Sequence, residues 1–302
     1  MSDKTYFVCS DIHGHYTAFI DALKQCGWEE NNSQHIIIVC GDLFDRSLDP
    51  TGPDRLVSFF KRLPKDRYIL IKGNHEYLFE ELLTKKRPGN HDYGNGTVRT
   101  FCNIAGVREC LMDAQYLDDV ALSTTGKELT IEELYSHLDT TWETVKQKVE
   151  KSVVYDFLKN SDWKHYYEID EFIFAHAFLP SYEEDFTLLP GWRNAPDFKW
   201  KQAVWVNNVT ALGFDALLPE TEQGKVLVCG HRGTHHFHRF FNNEKPYTNY
   251  KPYFSNALIA IDGTTVVSGV VNMIKITPDG VFDQENKLRR ERIVCDPPSK
   301  SN

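Results

Sequence analysis

The sequence predicts an α/β fold, and three observations carry that prediction. Near the N-terminus, short apolar runs each end in a polar turn and lead into a helix-spaced apolar stretch. The turns recur at the pitch of a strand–helix–strand unit, with 31 residues from Asp11 to Asp42 and 32 from Asp42 to Asn74. Strand-like runs then return in the C-terminal part. Strands alternating with helices at this pitch read as a parallel sheet with right-handed crossovers.

Taken in order, Tyr6–Cys9 is the first predicted strand, followed by the turn Ser10–Gly14. Tyr16–Cys26 is predicted helical because Phe19, Ile20 and Leu23 recur on one face. Ile36–Cys40 is the second strand, with the turn Gly41–Arg46 and an amphipathic stretch around Leu56, Phe59, Phe60 and Leu63. Tyr68–Ile71 is the third, followed by Lys72–Glu76 and a helix through Leu78, Leu82 and Leu83. From about 80 to 170 the pattern is helical around Thr130–Leu138 and Trp142–Leu158, with a glycine-bearing loop at Pro88–Gly96. That segment is expected to be a mostly helical insertion or cap within a single domain spanning 1–302. Strands are predicted again at Phe172–Ala175, Val226–Cys229, Ala257–Ile261 and Val266–Ile276, with turns at Gly263 and Pro278–Gly280. The charged tail from about 284 is expected at the surface or partly disordered.

Composition narrows the class. The 302 residues carry 34 Lys+Arg against 43 Asp+Glu, a formal charge of −9, and 41% are hydrophobic, enough for an ordinary buried core. An acidic balance argues against stable binding to nucleic acid or to an anionic membrane. The seven cysteines are odd in number and lack any CxxC pair, so neither a disulfide framework nor a zinc ribbon is indicated. No apolar run approaches the ~20 residues that span a bilayer. With no signal-like apolar stretch after Met1, a reduced, cytoplasmic setting is expected.

The polar residues fall at strand ends. Asp11 and His13 follow the first strand, Asp42 and Asp45 the second, and Asn74 and His75 the third; His176 and His231 follow two later ones. In open α/β sheets, ligands bind outside the carboxyl ends of strands, where several loops converge. Three imidazoles (His13, His176, His231), two carboxylates (Asp11, Asp42) and the Asn74 amide suit Mn, Fe or Zn rather than a thiolate-loving ion. Six ligands exceed what one tetrahedral ion needs, so two ions sharing a carboxylate is the economical reading. Any one of these residues alone would be read as a cap or a core histidine.

Ser10-Asp-Ile-His-Gly14, Gly41-Asp-Leu-Phe-Asp-Arg46 and Gly73-Asn-His-Glu76 resemble the GDxHG, GDxxDR and GNHE blocks of the phosphoprotein phosphatase family of metallophosphoesterases. Ser10 departs from the leading glycine. Ala175-His-Ala177 and Gly230-His231 resemble the two later histidine blocks, and Ile261-Asp-Gly263 the closing strand and turn. The resemblance spans about residues 4–276 and is nearest to compact bacterial and phage protein phosphatases and symmetrical diadenosine tetraphosphatases. It implies a four-layer α/β/β/α sandwich of two mixed β-sheets.

It also implies roles. Asp11 and His13 would hold one divalent ion, Asp42 would bridge, and Asn74, His176 and His231 would hold a second, with Mn preferred over Fe or Zn. A bridging hydroxide would attack phosphorus in line, His75 would protonate the leaving oxygen with Asp45 orienting it, and Arg46 would fork onto phosphate oxygens. Asn74 and His75 would also touch substrate. The family's second phosphate-gripping arginine follows a tryptophan; here Ala203-Val-Trp-Val-Asn-Asn208 has none, leaving Arg193 and Arg232 as candidates.

The implied activity is hydrolysis of phosphomonoesters, foremost phosphoserine or phosphothreonine, on a phosphorylated protein or a small phosphoester. Dinucleoside tetraphosphate hydrolysis is the alternative, and a non-catalytic phosphate-binding module the remote one. Elsewhere, His15 is expected to serve its turn, and His235–His238 to be a polar loop beside the site. His91, Asn95 and Gly96 fall where relatives place a substrate-lining loop, with a solvated loop as the equal alternative. Cys9, Cys40 and Cys229 are expected to be inert and buried, and Tyr247–Phe254 to be packing.

Overall fold

A computed structural model of the chain describes residues 4–107, 131–207, 222, 224–245 and 247–291. Strands β1 (Thr5–Cys9), β2 (His35–Cys40) and β3 (Tyr68–Ile71) pair in parallel, Tyr6 opposite Ile36 and Ile38 opposite Ile69. The intervening crossovers carry α1 (Tyr16–Gln25) and α2 (Gly52–Arg62), and α3 (Asn74–Thr84) follows β3. The run Ile36–Cys40 is apolar throughout because both faces of β2 are covered. Ile37 and Val39 pack outward against Phe19, Leu56 and Phe60, while Ile36, Ile38 and Cys40 face inward.

Two sheets result. The first has seven strands in the order β12-β11-β10-β1-β2-β3-β4, adding β4 (Trp163–Lys164), β10 (Met273–Thr277), β11 (Gly280–Phe282) and β12 (Leu288–Glu291). The second has five in the order β5-β6-β7-β9-β8: β5 (Tyr166–Ile169), β6 (Phe172–Ala175), β7 (Val226–Cys229), β8 (Tyr253–Phe254) and β9 (Leu258–Ala260). Val8, Ile38 and Ile71 of the first sheet share one buried cluster with Phe174, Val228 and Ile259 of the second. Outside the second sheet, Ile173 and Leu227 pack with Trp192, Trp200 and Phe237, the last two from α8 (Asp197–Ala203) and α9 (Thr234–Asn242). Helices, sheet, sheet and helices therefore stack in four layers, each of the two sheets being mixed.

The middle segment is mostly helical. It holds α4 (Asn90–Gly94), α5 (Thr97–Ala105), α6 (Ile131–Glu150) and α7 (Val153–Asn160). Phe101, Trp142, Val145 and Val149 are buried in the same core as Phe7 and Val39, so these helices form the outer layer of the first sheet. The two predicted helical patterns join across 139–141. The break falls instead at Ser152, whose Oγ caps α7 by accepting the Tyr155 N–H at 3.1 Å; Thr130 lies outside the described residues. Two strands, β4 and β5, close the segment. β5 pairs antiparallel with β6 through a two-residue turn, with Asp170 at φ +50°.

Two C-terminal expectations also change. The predicted strand Val266–Ile276 begins only at Met273, because Thr265–Ser268 winds into a short helix, α10. There the Thr265 and Ser268 hydroxyls donate to Val270 O and Gly263 O, a local alternative to sheet pairing. Part of the expected surface tail is ordered too: Leu288–Glu291 pairs with β11, and 292–302 lies outside the described residues. Cys9, Cys40 and Cys229 are buried free thiols, and Tyr253 stacks on Phe237. Among the described residues no helix is long and apolar enough to cross a membrane.

Candidate active site

Sharp turns at the ends of β1, β2 and β7 deliver the chemistry-bearing side chains. Asp11, His13, Asp42, Arg46 and His231 all adopt positive φ, between +48° and +69°. Side chains other than glycine rarely sit there, and such strain of ~1–3 kcal/mol per residue concentrates at functional sites. Two glycines let the turns nest. At Gly41 (φ +85°) an added Cβ would lie 2.4 Å from His176 Nδ1, and at Gly230 one would lie 2.1 Å from Asp11 Oδ2.

Asp42 is the centre of the arrangement. Its Oδ2 lies 3.8 Å from His13 Nε2 and 3.9 Å from His75 Nε2, and its Oδ1 lies 3.4 Å from His176 Nε2. Asp11 Oδ1 is 3.9 Å from His13 Nε2, while its Oδ2 accepts the His231 backbone N–H at 2.9 Å. Asn74 Oδ1 meets His176 Nε2 at 2.8 Å and His231 Nδ1 at 3.1 Å. Two donor groups emerge, His13/Asp42/His75 and Asp42/His176/His231, each with donor atoms within 4.8 Å of one another and both containing Asp42. Backbone carbonyls orient two of the rings: Asp45 O sits 2.9 Å from His13 Nδ1 and Cys40 O 2.7 Å from His176 Nδ1. An N–H at Nδ1 would donate to each carbonyl and turn Nε2 towards the cluster of donors.

A second set of contacts stands behind this one. His75 Nδ1 lies 2.9 Å from Asp45 Oδ2, which also accepts the Thr97 hydroxyl at 2.7 Å. Glu76 accepts three backbone N–H groups, Asp42 and Gly73 at Oε2 (2.9 and 2.8 Å) and Leu43 at Oε1 (2.8 Å). It thereby pins the turn after β2 to the turn after β3. Arg46 donates from Nε to Asn95 O at 2.8 Å and from Nη2 to Asn95 Oδ1 at 3.1 Å.

Electrostatically the site is a crowd of buried acids and imidazoles. Burial raises the carboxyl pKa of Asp11, with Asp262 adding repulsion, and that of Asp42, with Glu76 adding repulsion. Burial also pushes Asp45 up to about 7 and Asp262 up to about 6, and it lowers His13, His75 and His231. His231 Nε2 is buried without a hydrogen-bond partner. Neutral imidazoles beside carboxylates that need a counter-charge are the donor chemistry of divalent cations, and the residues fit two such ions. A cavity of about 450 Å³ opens over Asp11, His13, Asp42, Asn74, His75 and His231.

Asp45 and His176 lie just behind that cavity, and Arg46 lines it. Arg193 does not. Its guanidinium forks onto Glu168 (2.6 and 3.2 Å) and Glu222 (2.6 and 3.0 Å) and covers the Trp192 ring. Those bonds hold it protonated and occupied, so it is not positioned to take phosphate. Arg232 sits beside His231 but turns to His236 Nδ1 at 3.4 Å and does not line the cavity. His235 and His236 occupy the first turn of α9 rather than a loop, and His238 lies between Glu244 Oε1 (3.1 Å) and Lys251 O (3.0 Å). His15 serves its turn, with Nδ1 2.8 Å from His13 O. Asn95 and Gly96 line the cavity; His91 lies outside it, its ring 5.7 Å from that of Trp205.

Sequence reasoning missed several residues. Asp262 lines the cavity from the end of β9, where the strand-end rule that found the other acids would have found it. Glu76 appeared only as the last letter of a motif. Thr97 and Arg99 also take part in the site or its cavity, and no local pattern marks them; Trp205, which lines the cavity, entered only as the landmark of an absent arginine.

Comparisons with known proteins give the family and the fold. A sequence profile of the calcineurin-like phosphoesterase family matches residues 4–260. The catalytic subunit of serine/threonine-protein phosphatase 4 from Kluyveromyces lactis is 30% identical over 107 residues, which is 33% of this chain and 32% of that protein. The chain thus matches about a third of that relative's length. Among solved structures, a mutant cold-active protein tyrosine phosphatase superposes with a TM-score of 0.52 at 15% identity, covering 97% of this chain and 83% of that one. A protein serine/threonine phosphatase from Saccharomyces cerevisiae gives 0.47 at 14% identity, covering 99% and 82%. At such identity the first likeness shows the shared fold.

Proposed function

Because the chain belongs to the calcineurin-like phosphoesterase family, we propose that it is a binuclear metal-dependent hydrolase of phosphomonoesters, foremost phosphoserine and phosphothreonine in proteins. The observation that carries this reading is the pair of donor groups sharing one carboxylate, Asp42. Asp11 and His13 would hold one ion, and Asn74, His176 and His231 the other, with Asp42 common to both. Bound divalent ions, manganese first and iron or zinc also suited to these donors, would acidify water and neutralise charge on the phosphoryl oxygens.

The chain's own groups do the rest. Arg46 keeps three of its five N–H donors for phosphate after giving two to Asn95, and that residue holds the fork in place. His75 and His13 lie at similar distances from Asp42, but they differ in what anchors Nδ1. For His13 it is a backbone carbonyl; for His75 it is the Asp45 carboxylate, which works against the burial that lowers the His75 pKa. His75 is therefore assigned the proton delivered from Nε2 to the leaving oxygen, with Asp45 and Thr97 fixing its ring.

A second reading is hydrolysis of dinucleoside tetraphosphates. Trp205 favours it, since it lines the cavity and offers an aromatic face for a base. Turnover of a phosphothreonine peptide and of diadenosine tetraphosphate, side by side with Mn²⁺, decides between them. A higher kcat/KM on the peptide is expected, and preference for the dinucleotide would replace the first reading by the second. Metal-loaded, folded protein that turns over neither, nor p-nitrophenyl phosphate, would leave a non-catalytic phosphate-binding module.

A further inference from the structure

The cavity over the metal-donor groups has two cations among its described lining residues, Arg46 and Arg99. A phosphomonoester brings two negative charges, and Arg46 meets it with only part of its guanidinium, because Nε and one Nη2 proton are given to Asn95. The second cation is fixed relative to the first by the start of α5. Thr97, the first residue of that helix, donates to Asp45 Oδ2 at 2.7 Å, and Thr100 Oγ1 accepts the Arg46 N–H at 3.2 Å. Gly96, which precedes the helix at φ +80°, lies so close to Arg46 that a Cβ there would sit 3.0 Å from Arg46 Cγ. Arg99 stands between the two threonines on this keyed turn and is partly buried.

We propose that Arg99 is a second phosphate ligand of this site, acting beside Arg46 on the phosphoryl oxygens. Neither Arg193, held by Glu168 and Glu222, nor Arg232, turned to His236, lines the cavity. Arg99 does so from the element that also positions Asp45 and Arg46. One short segment, Asn95–Thr100, then organises phosphate binding: Asn95 aims Arg46, Thr97 aims Asp45, and Arg99 supplies charge. The assignment rests on the reading of the cavity as a phosphoester site. It concerns binding of the phosphoryl group and adds no step to the reaction.

The test is titration of metal-loaded full-length protein with inorganic phosphate by calorimetry, together with p-nitrophenyl phosphate kinetics, on wild type, Arg99→Ala, Arg99→Met and Arg99→Lys. Loss of a charge-assisted fork should weaken phosphate binding about 10- to 100-fold in the alanine and methionine variants, with metal stoichiometry unchanged. Lysine keeps the charge but not the fork and should fall between them and wild type. Phosphate affinity within twofold of wild type in any folded variant lacking the guanidinium's charge overturns the proposal, whatever the melting temperature does. Should both neutral variants fail to fold, wild-type affinity in Arg99→Lys overturns it. Wild type that binds no phosphate overturns it as well. Arg99-dependent phosphate binding in a protein that hydrolyses nothing would uphold Arg99 and refute the hydrolase reading, so the two failures are distinguishable.

Discussion

Replacing Glu76 by glutamine tests whether the site depends on the join between two strand ends. The wild-type carboxylate accepts three buried N–H groups, two at Oε2 and one at Oε1. Glutamine keeps one oxygen. In its better orientation the amide nitrogen faces the Leu43 N–H, which loses its acceptor at ~1–3 kcal/mol, and the two remaining bonds each fall from charged to neutral strength, ~1 kcal/mol apiece. Relief of a buried charge, whose pKa burial already raises, offsets part of this. A net loss of about 3 kcal/mol is expected for Glu76→Gln, and the opposite orientation, which orphans two N–H groups, would cost more. Because one of the three donors is Asp42 N, metal affinity should also drop about 10-fold, the lower end for a group that orients a ligand. Urea denaturation of chelator-treated and Mn²⁺-loaded protein measures both effects. A change below about 0.5 kcal/mol in metal-free protein, within the range of ordinary surface substitutions, would refute the reasoning.

Other expectations follow from the same geometry. His75→Asn should lower kcat by about 10²–10⁴ while both ions stay bound; a lost ion instead would make His75 a ligand, as its 3.9 Å approach to Asp42 also permits. Gly41→Ala places a methyl 2.4 Å from His176 Nδ1 at φ +85°, so destabilisation of at least ~2 kcal/mol is expected, and a melting temperature equal to wild type would be inconsistent with that packing. Metal affinity should fall as pH falls. Asp11 and Asp42 have raised pKa values and exchange protons for cations, while His13 and His231, whose values are lowered, stay neutral and do not compete. Calorimetry at pH 8 and pH 6, in buffers of different ionisation heat, should show weaker binding at pH 6 and net proton release; pH-independent affinity without proton release would contradict it.

The parts of this molecule legible in the chain are those set by local pattern. β1, β2 and β3 announce themselves as apolar runs, and the residues just past their ends are read from position alone. Asp262 obeys the same rule and was within reach. The helical middle was less legible, because Tyr166–Ile169 becomes a strand only by pairing with Phe172–Ala175 across the Asp170 turn. Arg193 illustrates a different limit. Its charge and position in the chain suggest a phosphate ligand, yet Glu168 and Glu222, 25 and 29 residues away, claim it in three dimensions. Glu76, Thr97 and Asn95 act by satisfying backbone and side-chain groups brought from elsewhere in the chain, and no spacing encodes such partnerships.

Two ions joined through Asp42 are the core of the account, and metal stoichiometry of the purified protein tests them directly. Wild type titrated with Mn²⁺ after chelation should bind two equivalents. Asp42→Asn, still folded, should lose affinity for both together, because it removes the carboxylate common to the two donor groups. One equivalent in wild type, or two retained at unchanged affinity in Asp42→Asn, would contradict the binuclear centre.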